Sequence, residues 1–179
     1  MIGRLLGLAL ACAIAPHWLA AEVVDSAANG FTVKETINIQ ASPRDVYAKI
    51  FRVGDWWSSA HTFSHDAHNL SLEEKAGGCY CEKLPDGGAV KHMEVDYFAP
   101  AKTIRLHGAL GPLGSLGVIG AMQIQLSAAD GGTRLEVTYA VGGYLAAGLN
   151  TWAAVVDGVL KEQFTRLKNA IEKGNPEAK

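Results

Sequence analysis

The side chains that could do chemistry fall in three places along the chain. The stretch GGCYCEKLPDGG, Gly77 to Gly88, sets Cys79 and Cys81 one residue apart with Glu82 beside them. Two thiols at that spacing admit a disulfide, a soft-metal site, or two unpaired small residues on a strand. A thioredoxin-like redox pair needs two intervening residues before a helix, and that pattern is absent. Glu35 is the odd member of an otherwise apolar alternation of Phe31, Val33, Ile37 and Ile39. A carboxylate on such a face has its pKa raised by burial, which suits a general acid or base. The third place is DWWSSAHTFSHDAHN, Asp55 to Asn69, where His61 and His65 stand four apart with Asp66 and His68 close by. No Glu follows His61, so the zinc-protease signature is missing, and a solvated histidine-rich loop is the simpler state.

These residues need elements to position them. Phe31 to Ile39 alternates with period two and predicts a half-buried strand. Ser42-Pro43-Arg44-Asp45 then supplies an N-cap, a proline at the first helical position and an acid in the first turn, so a short helix follows and ends near Gly54. Six more strands are predicted at Leu70 to Glu74, Cys79 to Leu84, Ala89 to Tyr97, Thr103 to Gly108, Ala121 to Ala128 and Thr133 to Val141. Gly and Pro clusters punctuate them as in an antiparallel meander. From Asn150 to Lys173, Trp152, Val156, Leu160, Phe164, Leu167 and Ile171 recur at helical spacing, and Gly174 stops the run. The fold class expected is therefore α+β, with a curved antiparallel sheet of about seven strands wrapped around a long C-terminal helix.

Counting outward from a four-residue Pro85 to Gly88 turn sets Glu82 opposite Lys91, Cys81 opposite His92 and Tyr80 opposite Met93. The next hairpin, taken from Tyr97 opposite Lys102, sets His92 opposite His107. Met93, Val95, Ile104 and Leu106 then face the helix with Met122, Ile124, Leu126, Leu135, Val137, Tyr139 and Val141. Cys79, Cys81, His92 and His107 fall on the outer face, where two thiols and two imidazoles could ligate a soft divalent metal. Flat sheet faces rarely converge four ligands, so no metal is expected. Two unpaired cysteines are the simplest state, and a disulfide is the alternative an oxidising compartment permits. Residues two apart on one strand sit near the upper limit of bridgeable separation. Glu82 and Lys91 would share the inner face with Glu35, most simply as an ion pair at a cavity mouth.

The chain resembles the START-like helix-grip superfamily in its polyketide cyclase/dehydrase and lipid-transport branch, related to the activators of heat-shock-protein ATPase. The resemblance covers about Phe31 to Lys173. It rests on Ala41-Ser42-Pro43 with Val46-Tyr47, Asp55-Trp56-Trp57, Gly77 to Glu82, Gly108 to Leu113, Gly132 to Leu135, Val141 to Tyr144 and Val156 to Leu160. It implies a cavity between sheet and C-terminal helix that holds a hydrophobic small molecule. Members include carriers, cyclases and proteins without an assigned role, so the fold alone does not assign an activity, and the relation to the ATPase activators leaves a protein-interaction module as a further alternative. Trp56, Trp57 and Phe63 sit where they could cover a ligand. Met93, Tyr97, Leu106, Met122, Tyr139, Tyr144, Trp152 and Val156 complete the expected lining. If the chain catalyses a cyclase, dehydratase or hydrolase reaction, Glu35, Glu82, His61 and Tyr144 are the candidates. The glycine-rich Gly108 to Gly120 stretch has no lysine to close a phosphate loop and reads as a flap over the cavity.

The remaining bounds are broader. At 179 residues with a formal net charge of -2, the chain offers one domain and no basic field for nucleic acid. Arg4, the apolar run Leu5 to Ala15 and the small residues near Ala20 form a secretory signal pattern too short for a membrane span. Cys12 in Ala9-Leu10-Ala11-Cys12 is a weaker lipoprotein pattern. The expected division is a signal peptide over 1–21, a lead-in over 22–30, the START-like domain over 31–174 and a tail over 175–179. The mature protein is expected to be secreted or periplasmic, monomeric, free of cofactor and without stable membrane insertion.

Overall fold

A computed structural model describes residues 21–178. The predicted signal peptide falls outside these residues, apart from Ala21. Eight antiparallel strands form one sheet in the order β1-β2-β8-β7-β6-β5-β4-β3. The strands are β1 (Ala21–Ala27), β2 (Gly30–Ile39), β3 (Leu70–Leu72), β4 (Gly78–Lys83), β5 (Ala89–Ala99), β6 (Thr103–Gly108), β7 (Gly117–Ala129) and β8 (Gly132–Tyr144). Two helices complete the fold, α1 (Pro43–Phe51) and α2 (Ala153–Glu172). The extra strand is β1, where a lead-in was expected. It pairs with β2 from Ala21↔Glu35 to Ala27↔Gly30, and its mixed polar sequence carries no clear period.

Helix α1 begins where its cap requires. The Ser42 hydroxyl accepts the Asp45 N–H at 3.2 Å, and Pro43 occupies the first turn. Helix α2 lays Val156, Leu160, Phe164 and Leu167 against the inner face of the sheet. Each fully buried side chain on that stripe contributes roughly 1.5–3 kcal/mol. The inner face opposite is the predicted set, with Met93, Val95, Ile104, Leu106, Met122, Ile124, Leu126, Leu135, Val137, Tyr139 and Val141 all buried.

The pairing around β5 differs from the expected count. Lys83 pairs with Ala89, so the turn holds five residues, and Cys81 faces Lys91 while Tyr80 faces Met93. His92 is the extra residue, a bulge. A second irregularity leaves Asp96 unpaired between Val95↔Leu106 and Tyr97↔Arg105. A bulge breaks the alternation of a strand, and here it turns two consecutive residues, His92 and Met93, into the interior. The second turns Tyr97 outward, where the Arg105 guanidinium lies 4.7 Å over its ring. Among the described residues no helix is long and apolar enough to cross a membrane.

Candidate functional site

An apolar cavity of about 300 Å³ lies between the first half of α2 and the β3 edge of the sheet. Three walls enclose it. Trp152, Val155, Val156, Val159 and Leu160 come from the start of α2 and the residue before it. Leu70, Tyr80 and His92 come from β3, β4 and β5. The third wall is the segment before β3, with Trp57, Ala60, His61, Thr62 and Phe63, and Leu110 to Leu113 of the glycine-rich stretch close the top. The size is at the lower end of small-molecule pockets.

Segment 52–69 is a chain of short 3-10 turns, Val53–Asp55, Ser59–His61 and Ala67–Asn69, and its form is set from outside. Helix α2 pins it: Gln163 Oε1 accepts the Ser58 N–H at 2.7 Å, and Arg166 Nε donates to the Trp56 carbonyl at 3.0 Å. The two tryptophans then part company. Trp56 packs on Phe164 and donates to the Lys49 carbonyl at 3.0 Å, inside the core. Trp57 faces the cavity and donates to the His61 carbonyl at 3.1 Å.

The polar centre of the site is Glu82 with His92. Glu82 Oε2 lies 3.0 Å from His92 Nε2, and both side chains are buried. Glu82 Oε1 accepts the Ser64 N–H. Burial opposes ionisation of Glu82, but the hydrogen bonds from Ser64, Phe63 and His92 outweigh it and hold the carboxyl below the ordinary range. Burial lowers the His92 pKa, with the Glu82 charge opposing. The pair therefore stands as carboxylate and neutral imidazole at neutral pH. The bonds assign the tautomer: Nε2 carries the proton toward Glu82, while Nδ1 accepts the Gly111 N–H at 3.3 Å. Phe63 stacks on the imidazole at 6.0 Å and 13°, and Tyr80 flanks it at 5.4 Å.

The flap is a 3-10 turn, Gly111–Ser115, with Leu113 buried beneath it. Gly111 takes φ 54°, a left-handed conformation that favours glycine. Tyr139 ties down its base, donating to the Gly108 carbonyl at 3.3 Å and accepting the Leu110 N–H at 3.2 Å. Burial pushes the Tyr139 phenol up to about 12, so it remains a donor. Gly120 leaves the ring room, since a methyl group there would lie 2.5 Å from Tyr139 Cε2. Gly120→Ala is thus expected to displace Tyr139 and loosen the flap, seen as faster amide exchange at Leu110 and Gly111 with little change at β2.

The structure brings together some of the residues singled out from the sequence and separates others. Trp57, Phe63, His61, Trp152 and Val156 line the cavity. Met93, Leu106, Met122 and Tyr139 are buried in the adjoining core. Tyr97 is exposed and Tyr144 is 77 % exposed at the end of β8, so neither meets the cavity. His61 Nε2 sits 3.1 Å from Glu162 at the rim. Lys91 pairs with Glu94 at 2.9 Å on the outside, replacing the expected partnership with Glu82. Glu35 is 1 % exposed beneath α2, with neither carboxylate oxygen hydrogen-bonded, and it is not part of the cavity wall.

Cys79 and Cys81 are joined as a disulfide across a Cα–Cα distance of 5.3 Å. They face outward while His92 faces inward, so the four candidate metal ligands do not converge. No cluster of three metal-ligating side chains occurs among the described residues. The bridge closes a very short loop, so removing it is expected to cost roughly 1–2 kcal/mol on the chain-entropy account. Alkylation under denaturing, non-reducing conditions should leave both cysteines unmodified, and prior reduction should label both. Leu110, Gly111 and Leu113, together with Leu70 and Tyr80, are cavity residues the sequence reading did not single out. The Gly108 to Leu113 stretch was legible as a flap, but which of its side chains turn inward was not.

The arrangement of sheet and helix decides the comparison with known folds. The chain has the START-like helix-grip fold. The Aha1 dimer from Colwellia psychrerythraea aligns at TM-score 0.56 and 18 % identity over 80 % of this chain and 97 % of that one. A protein from Rhizobium leguminosarum aligns at 0.60 and 15 % identity, over 87 % and 99 %. Ara h 8.0201 aligns at 0.55 and 16 % identity, over 81 % and 97 %. DynU16, from the dynemicin biosynthetic locus, aligns at 0.56 and 18 % identity over 81 % of this chain and 48 % of that one. No protein-family model and no curated protein matches the chain by sequence.

Proposed function

We propose that the protein holds an apolar or aromatic small molecule, of lipid or polyketide character, in the cavity between α2, β3 to β5 and the 110–113 flap. The observation that carries this reading is the cavity itself: about 300 Å³, walled by Trp57, Phe63, Leu70, Val156, Leu160 and Leu113. Most of its polar groups are already used internally, by Trp57 to His61, His92 to Glu82 and Thr62 Oγ1 to the Ser59 carbonyl. Such a wall gains little from binding water and much from covering hydrocarbon. Export as a monomer to the periplasm or beyond is part of the proposal. Its supports are the N-terminal signal pattern and a disulfide that an oxidising compartment maintains.

Anilinonaphthalene sulfonate should bind saturably and quench tryptophan emission, since Trp57 and Trp152 face the cavity. Val156→Trp fills the cavity from the helix side and is expected to weaken that binding about tenfold or more while the chain still melts cooperatively. Unchanged affinity in a folded Val156→Trp protein would place the dye elsewhere and refute the cavity reading.

One observation favours a second reading as an enzyme: an ionised Glu82 held behind a neutral His92, both buried and 3.0 Å apart, is a general-base arrangement. An enzyme would lose turnover and retain binding in Glu82→Gln, whereas a carrier shows no turnover to lose.

A further inference from the structure

We propose that the cavity selects ligands bearing a hydroxyl group, which inserts between the Gly111 N–H of the flap and Nδ1 of His92. The inference rests on the ligand-binding reading above and names the chemistry of what binds. Three features of the site carry it.

Glu82 fixes the imidazole. With Nε2–H committed to the carboxylate at 3.0 Å, Nδ1 of the neutral ring is left as an acceptor. His92 is buried and lines the cavity, so an unfilled Nδ1 has little water to turn to. Its partner is the Gly111 N–H at 3.3 Å, toward the long end of hydrogen-bond distances. Gly111 also lines the cavity, so this long bond stands at the boundary of the ligand space.

A hydroxyl is the group that fits both ends. Its oxygen accepts from Gly111 and its hydrogen donates to Nδ1, so one long bond becomes two bonds of ordinary length. An ether or ketone oxygen can accept from Gly111 but has nothing to give Nδ1, leaving a buried acceptor unsatisfied. A hydrocarbon leaves the present bond as it is and gains no polar contact. The cavity therefore distinguishes an alcohol or phenol from its methyl ether. Gly111, at the start of the flap turn, makes the small displacement the insertion requires.

The experiment compares naphthol with its methyl ether on the wild-type protein, with both affinities read by titration calorimetry. Naphthol is expected to bind about tenfold more tightly, the factor that one additional net hydrogen bond gives. His92→Phe keeps a flat ring and removes the acceptor. In it the two affinities should converge, mainly through loss of naphthol binding. Equal affinities in the wild type overturn the hydroxyl selection and leave the cavity reading intact. Absence of binding by both probes overturns the cavity reading and this inference with it. The wild-type comparison decides the question even if His92→Phe does not fold.

Discussion

Replacing Glu35 by glutamine is expected to stabilise the protein at alkaline pH and to do much less at pH 5. Glu35 lies on β2 beneath α2, 1 % exposed, with no hydrogen bond to either oxygen. Burial first, and repulsion from Asp157 second, raise its pKa to about 7, with Lys161 opposing. The carboxyl therefore keeps its proton in the folded state where the unfolded chain has lost it. The native state binds more protons between about pH 4.5 and 7. This group's contribution to stability is full below the unfolded value and is lost as pH rises through about 7. The shift corresponds to about 3 kcal/mol at the alkaline end. Glutamine keeps a buried polar group but cannot ionise, so it isolates the charge. Thermal melts should show Glu35→Gln gaining roughly 5–10 °C at pH 8.5. A difference from wild type independent of pH would mean that Glu35 titrates normally.

Glu82→Ala is expected to be among the most damaging single changes, costing about 2–4 kcal/mol through the donors it leaves unpaired. Glu82 receives the Ser64 and Phe63 N–H groups and the His92 imidazole. Its loss leaves the buried His92 N–H and the part-buried Ser64 and Phe63 N–H groups without this acceptor and frees both the 58–64 wall and, through His92, the flap. Denaturant melts measure the effect, and a cost below about 1 kcal/mol would show the network to be dispensable. The pair also sets an acid limit. His92 is held neutral by burial and Glu82 ionised by its bonds. Both folded pKa values lie below their unfolded ones, so this contribution is present near neutrality and lost as pH falls through the folded values. It opposes the Glu35 slope. Glu35→Gln and Glu82→Ala should therefore alter opposite limbs of the stability profile.

Much of the scaffold was readable because periodicity is a local signal. The apolar stripe from Val156 to Leu167 and the alternations of β2, β7 and β8 mark which faces go inward with no knowledge of partners. Glu82 is inward for the same reason, since its strand alternates cleanly from Gly78 to Lys83. The site itself was less legible. The extra residues at His92 and Asp96 are bulges, and nothing in KHMEVDY distinguishes a bulged strand from a regular one. That single shift moves His92 from a row beside the cysteines to the centre of the cavity wall. It also exchanges Lys91 for His92 as the partner of Glu82. The 52–69 segment offered aromatic and polar residues but no period, because Gln163 and Arg166, more than a hundred residues away, shape it. Strand β1 was missed because Glu22 to Ser26 is not apolar; its pairing depends on the free edge of β2.

The indole N–H resonances test the central claim most directly. Trp57 and Trp152 line the cavity, whereas Trp56 is buried behind it with its N–H bonded to the Lys49 carbonyl, so the protein carries its own control. Titration of the ¹⁵N-labelled protein with a bicyclic aromatic such as naphthol should shift the Trp57 and Trp152 indoles and the Gly111 amide, and leave the Trp56 indole nearly still. A second, more open depression lies on the outer face around Ile119, Ala121 and Ala140. Shifts centred on those amides, with Trp57 and Trp152 unmoved, would contradict the assignment of the ligand to the cavity beneath α2.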